Sequence, residues 1–147
     1  MTVSRRGFLV ATGLGAAGLA VRPAHATPFP DKLWERRLLL LFASERGDRF
    51  DRQMALVATP QFRQRDFDLI EVVGNEPIRI DGVAHDTPTA AELRRLYRVV
   101  GDFAVRVVGK DGGVKLESRR FVTMEQLAEL VDAMPMRRQE MQERGES

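Results

Sequence analysis

Leu38-Leu39-Leu40-Leu41-Phe42-Ala43 is six apolar residues in a row, with Arg36-Arg37 before it and Ser44-Glu45-Arg46 after it. A strand with one wet face alternates apolar and polar residues. An unbroken run of this length belongs to a central strand buried on both faces. Such a sheet needs a layer of helix on each side, so the run predicts an α/β domain.

Working toward the C-terminus, Phe50, Met54 and Val57 recur at helical spacing between Asp48 and Ala58, and Pro60 ends or kinks that helix. Phe67 to Gly74 reads as a second strand, rich in β-branched residues. Residues 75–88 are irregular, with a small hairpin signal where Ile78-Arg79-Ile80 and Val83 flank Asp81-Gly82. Thr89-Ala90-Ala91-Glu92 is a capping box, opening a helix with Leu93, Leu96 and Tyr97 on its apolar face. Phe103 to Val108 is a third strand, and Asp111-Gly112-Gly113 turns it into a fourth, Val114 to Phe121. A second capping box, Thr123-Met124-Glu125-Gln126, opens a last helix whose buried face is Leu127, Leu130, Val131 and Met134. Pro135 is expected to stop it. The order is β-α-β-α-β-β-α, a four-stranded mixed sheet flanked by helices, over residues 37–135. Residues 136–147 read as a charged tail with at most one exposed turn. Residues 27–36 read as an extended leader, with Leu33 and Trp34 packing on the domain edge.

Toward the N-terminus, Ser4-Arg5-Arg6-Gly7-Phe8-Leu9 has the paired arginines and following apolar stretch of a twin-arginine export signal. The stretch from Gly7 to Val21 is diluted by glycine and is shorter than the roughly 20 residues a spanning helix needs. Ala24-His25-Ala26 supplies the small-x-small cleavage pattern, so residues 1–26 are read as a signal peptide and the mature chain as periplasmic or secreted. An uncleaved interfacial anchor or a general-secretion signal are the alternatives.

Composition narrows the chemistry. With 147 residues, 44% hydrophobic and 30% charged, the chain is one globular domain rather than two or a disordered segment. It has no cysteine, which excludes disulfides, thiol redox catalysis and cysteine metal sites. Only His25 and His85 could supply imidazole. The net charge of +2 comes from Arg5, Arg6 and Arg22; without residues 1–26 the balance is 20 basic against 21 acidic groups. A near-neutral domain has no electrostatic footprint for nucleic acid.

Trp34 with the Leu38–Ala43 run, Gly109-Lys110-Asp111-Gly112-Gly113-Val114-Lys115, and Asp132-Ala133-Met134-Pro135-Met136-Arg137 together resemble a bacterial family called domain of unknown function 4174. The resemblance covers about residues 33–141. It implies a thioredoxin-like fold related to domains of animal sushi-repeat extracellular-matrix proteins, and it implies no biochemical activity. Redox-active proteins of that fold carry a cysteine pair after the first strand. The corresponding segment here is Ser44-Glu45-Arg46-Gly47-Asp48. They also place a cis-proline before the third strand, where this chain has Val100-Gly101-Asp102-Phe103.

Several residues remain as candidate sites. Ser44, Arg46 and Arg49 border a helix start that could take an anion, although Asp48 and Asp51 are placed to cap it themselves. Lys110 and Lys115 flank the hairpin tip, as a catalytic lysine or, more commonly, as a solvated turn. His85 beside Asp86 could form a base held by a carboxylate, or plain surface. Met134, Met136 and Met141 are soft ligands that would suit Cu(I), or core packing. Arg137 either pins the end of the last helix or belongs to a partner surface. These alternatives favour a non-catalytic module, without cofactor, binding another exported protein or envelope component. A cysteine-free enzyme or anion-binding site at Ser44–Asp48 or Lys115 is the alternative, and Cu(I) binding the third.

Overall fold

The computed structural model describes residues 27–146, and the expected signal peptide lies outside them. The apolar run forms β1 (Arg37–Ala43), every residue of it buried. It pairs in parallel with β2 (Phe67–Val73) and antiparallel with β5 (Phe103–Val108), which places it inside the sheet. Side chains along β1 alternate between two cores, as strand geometry requires. Leu39, Leu41 and Ala43 join Phe50, Phe62, Phe103, Val105, Leu127 and Val131 on one face. Leu38, Leu40 and Phe42 join Ile70, Val72, Leu93, Tyr97 and Ala104 on the other.

The first face is covered by α1 (Asp48–Met54), α2 (Pro60–Gln64) and α4 (Met124–Asp132). Phe62 of α2 stacks on Phe67 at 4.8 Å between ring centroids. Gln53, fully buried in α1, donates from Nε2 to the Val122 carbonyl (2.9 Å) and accepts from the Val122 N–H (2.8 Å). One amide side chain thus satisfies both backbone groups of Val122, as a neighbouring strand would. The second face is covered by α3 (Ala90–Leu96) and by Phe29 from the leader. Both expected capping boxes form, with the Glu92 and Gln126 amides donating to the Thr89 and Thr123 hydroxyls at 3.2 and 3.1 Å.

The sheet has six strands and not four. β3 (Ile78–Ile80) and β4 (Val83–His85) pair with each other and extend the sheet beyond β2, in the order β4-β3-β2-β1-β5-β6. The hairpin signal was real, because Asp81 and Gly82 both take the left-handed conformation (φ 48° and 84°) that tight hairpin turns need. Strands of three residues are too short to show periodicity, which is why only the turn is legible. The last strand, β6 (Val114–Ser118), is shorter than expected.

The C-terminal end differs more. Pro135 does not merely stop a helix; it opens α5 (Pro135–Arg144), with Met134 as the N-cap. Proline suits the first helical position because that N–H has no helical partner. Residues 136–147 are therefore no simple exposed tail. Pro60 acts in the same way at the start of α2. The leader is not extended throughout but turns through a short 3-10 helix, Pro30–Lys32; Leu33 packs half-buried beside Gly112 and Phe29 is buried, whereas Trp34 is 59% exposed. A left-handed backbone at Trp34 (φ 67°), fixed by its N–H bond to the Lys110 carbonyl, keeps the indole outside. Leu96 is also exposed, at the last turn of α3. No helix among the described residues is long and apolar enough to cross a membrane.

Candidate functional site

The chain places polar side chains at three positions on the sheet: the C-terminal end of β1, the opposite end where β1 begins, and the free edge of β6.

At the C-terminal end of β1 a cavity of about 360 Å³ lies between Ser44, Glu45, Gly47, Asp48 and Arg49 on one side and Asp102 and Phe103 on the other. Gly47, not an aspartate, is the N-cap of α1; Asp48 and Asp51 sit in the first turn and make no capping bond. Arg46 is committed elsewhere. It bonds Glu71 and Glu76 at 3.1 Å each and lies 5.1 Å from the centre of the Phe50 ring. Arg49 bonds Asp102 at 3.0 Å and lies over Phe103. Glu45, Asp48 and Asp102 line this cavity, and Arg49 is the one basic residue in its lining. The local charge opposes anion capture.

At the start of β1 the arrangement is the reverse. Arg37 is 1% exposed and Lys110 is 9% exposed. Arg37 donates to both carboxylate oxygens of Glu140 in α5 (3.1 and 3.3 Å) and to the Arg65 carbonyl (3.0 Å). Lys110 bonds Glu140 at 2.6 Å and Asp66 at 3.0 Å, so it is a buried ion-pair member rather than a solvated turn residue. Burial alone would push the carboxyls of Asp66 and Glu140 up. The hydrogen bonds and charges of Lys110, Arg37 and Arg144 outweigh it and hold both below the ordinary carboxylate range. Arg137 is 3% exposed and faces inward, to Asp132 (3.4 Å), Glu146 (2.9 Å) and the Gln64 carbonyl (3.2 Å). It is a structural pin, not a surface. Lys115 is partly exposed and bonds Asp111 at 2.9 Å.

The third position is β6, hydrogen-bonded on one side to β5 and on the other to nothing among the described residues. Its pairing with β5 contains a bulge: Leu116 faces Val107 and Val114 faces Val108, leaving Lys115 as the extra residue. Val107 and Val108 belong to opposite cores, so their partners Leu116 and Val114 lie toward opposite faces of the sheet, Leu116 packed against the first core and Val114 exposed. Beside Val114 a cavity of about 330 Å³ is walled by Pro28, Leu96 and Tyr97. Beside Leu116 a groove of about 540 Å³ is walled by Ser118, Phe121, Gln126 and Leu130.

A model of the protein family described as a domain of unknown function (DUF4174) matches residues 28–140. The chain belongs to this family. No curated protein and no solved structure matches it. In this DUF4174 domain the matched stretch runs from the leader to Glu140, so it spans both partners of the Arg37–Glu140 pair.

Of the remaining candidates, His85 is exposed on β4 and makes no hydrogen bond with Asp86. Met134 packs against the first core, Met134 and Met136 share the wall of one small cavity, and Met141 lies further along α5. No group of three or more His, Asp or Glu side chains suited to a metal occurs among the described residues. In the sequence Arg37 is legible only as a flank of the apolar run, and nothing there joins it to Asp66 or Glu140. The available signal was Arg37 itself, a charge at the first position of a strand otherwise buried throughout.

Proposed function

We propose that this DUF4174 protein is an exported, non-catalytic domain of thioredoxin-like arrangement that binds an extended segment of another exported protein or envelope component along the free edge of β6. The bulge at Lys115 carries the reading. A strand added to that edge alternates its side chains between the two faces, and each face offers a cavity beside β6. Main-chain hydrogen bonds would supply affinity, and the two cavities would select side chains.

The thioredoxin-like assignment is supported by the order β2-β1-β5-β6, parallel in its first pair and antiparallel in the others. The non-catalytic part is supported by Ser44 where a redox protein of this arrangement carries a thiol, and by the engagement of Arg46 and Arg49 with carboxylates. Export rests on Arg5-Arg6 and Ala24-His25-Ala26 in the sequence.

A photo-crosslinking residue placed at Glu117 on β6, in the full-length protein in its own host, tests this. Adducts should map to an extended stretch of one exported protein and vanish with Val114→Asp. A crosslinker at Ala84 on β4 should give none of them. Equal adducts from both edges, or adducts indifferent to Val114→Asp, would overturn the reading.

A further inference from the structure

Between the hairpin and the start of α5 lies a cavity of about 110 Å³, walled by Arg37, Lys110, Asp111, Lys115, Met134 and Met136. We propose that it is a binding site for a small monocarboxylate with a short aliphatic tail, which shares only Lys115 with β6. Arg37 supplies the first argument. A guanidinium has five N–H donors; here the end formed by both Nη atoms is taken by Glu140, and a further Nη1 hydrogen by the Arg65 carbonyl. The Nε–H and the adjacent Nη2 hydrogen remain. Nε is buried and without a hydrogen-bond partner, the only such side-chain atom among the described residues. Those two donors form the side edge of the guanidinium, the fork that receives both oxygens of a carboxylate. A buried, unpaired donor is costly to keep, and Arg37 is one of the residues lining this cavity, so a carboxylate entering from it would supply the missing acceptor once it reaches Nε.

The hairpin supplies the second argument. Neither Gly109 nor Gly113 has a left-handed backbone, so turn geometry does not require them. What they leave room for is the Lys115 side chain lying across the hairpin, together with the Asp111 carboxylate. A Cβ on Gly109 would come within 2.7 Å of Lys115 Cε, and one on Gly113 within 3.3 Å of Lys115 Nζ. The two glycines let the Lys115 chain lie close to the hairpin backbone, and Asp111 bonds its ammonium from one side. Charge then selects the ligand. Arg37, Lys110, Lys115 and Arg144 stand against the carboxylates of Asp66, Asp111 and Glu140, leaving one positive charge in the cluster for one negative one. Met134, Pro135 and Met136 make the remaining wall apolar and small, which suits an aliphatic tail and disfavours a heavily hydrated dianion.

Titration of the full-length protein with butyrate, butyramide and inorganic phosphate decides the matter. Butyrate should bind saturably below about 10 mM and shift the Arg37 Nε–H resonance in nuclear magnetic resonance spectra. Butyramide should not bind, and phosphate should bind at least about tenfold more weakly. Lys115→Met and, separately, Gly109→Ala should each lower butyrate affinity about tenfold, with Lys115→Met keeping the wild-type melting temperature. An unmoved Arg37 Nε–H resonance, equal binding of butyramide or phosphate, or full butyrate affinity in Lys115→Met would each overturn the proposal. The β6 crosslinks do not depend on this cavity, so either reading can fail alone.

Discussion

The guanidinium of Arg37 grips the carboxylate of Glu140 through two hydrogen bonds, 3.1 and 3.3 Å, across 103 positions of sequence. This contact joins the first residue of the central strand to the last helix and makes the C-terminal segment part of the domain. Removing Glu140 leaves Arg37, 1% exposed, without its carboxylate. Breaking a buried pair from one side costs about 3–5 kcal/mol, since the other charge stays buried. Glu140→Ala should therefore lower the stability measured by denaturant unfolding by about that amount. A loss below about 1 kcal/mol, the range of exposed pairs, would show that α5 is a loose appendage.

Arg137→Ala should destabilise the fold by about 1.5–3 kcal/mol, the range for hydrogen bonds to charged groups. It should leave partner capture intact at temperatures well below its melting point. Its donors serve Asp132, Glu146 and the Gln64 carbonyl, and at 3% exposure the side chain is closed to a partner. Wild-type stability with lost crosslinks would place Arg137 at an interface instead.

The acid limb of stability follows from the same end of the sheet. Glu140, Asp66 and Asp132 are each pushed up by burial, but bonds and charges from Lys110, Arg37, Arg65, Arg137 and Arg144 bring them below their ordinary values of 4.5 and 3.8. Lowered carboxylates contribute stability that is present above the unfolded-state value and is lost as pH falls through the folded one. Asp81 has the opposite sign. Burial holds its carboxyl above 3.8, despite the bond from the Leu69 N–H, so it offsets part of the loss as it protonates. Unfolding free energy measured from pH 7 downward should stay level to about pH 5 and then fall. The gap between wild type and Glu140→Gln should close as the pH drops below 4.5. A gap that persists at pH 2 would mean that Glu140 acts through packing and not through charge.

The fold was legible where elements are long and periodic. Leu38–Ala43 announced a doubly buried strand, and the capping boxes at Thr89 and Thr123 marked helix starts that the structure confirms. The β3–β4 hairpin was half-legible: Ile78-Arg79-Ile80 and Val83 around Asp81-Gly82 mark the turn and its flanks, but not their pairing onto β2. What escaped was nonlocal. No spacing in Met136 to Arg144 reports that Arg137 and Glu140 turn inward, because their partners Gln64, Arg37 and Lys110 lie far away in sequence. The same holds for the candidate sites. Arg46 and Arg49 look free beside a helix start, and only the fold brings Glu71, Glu76 and Asp102 to them. The bulge that separates Val114 from Leu116 arises from pairing with β5 and has no local signature.

Export has its own test. Replacing Arg5-Arg6 with Lys-Lys preserves charge but removes the arginine pair on which the proposed twin-arginine route rests. The precursor should then accumulate in the cytoplasm, as fractionation with immunoblotting would show. Normal export would assign residues 1–26 to the general secretory route.

Amide hydrogen exchange on the protein bound to its crosslinked partner tests strand addition most directly. Residues 114–118 of β6 should gain protection in the complex, with β4 (83–85) and the Ser44–Asp48 segment unchanged. Protection centred on Ser44–Asp48 with β6 unchanged would contradict the account and return the functional site to the end of β1.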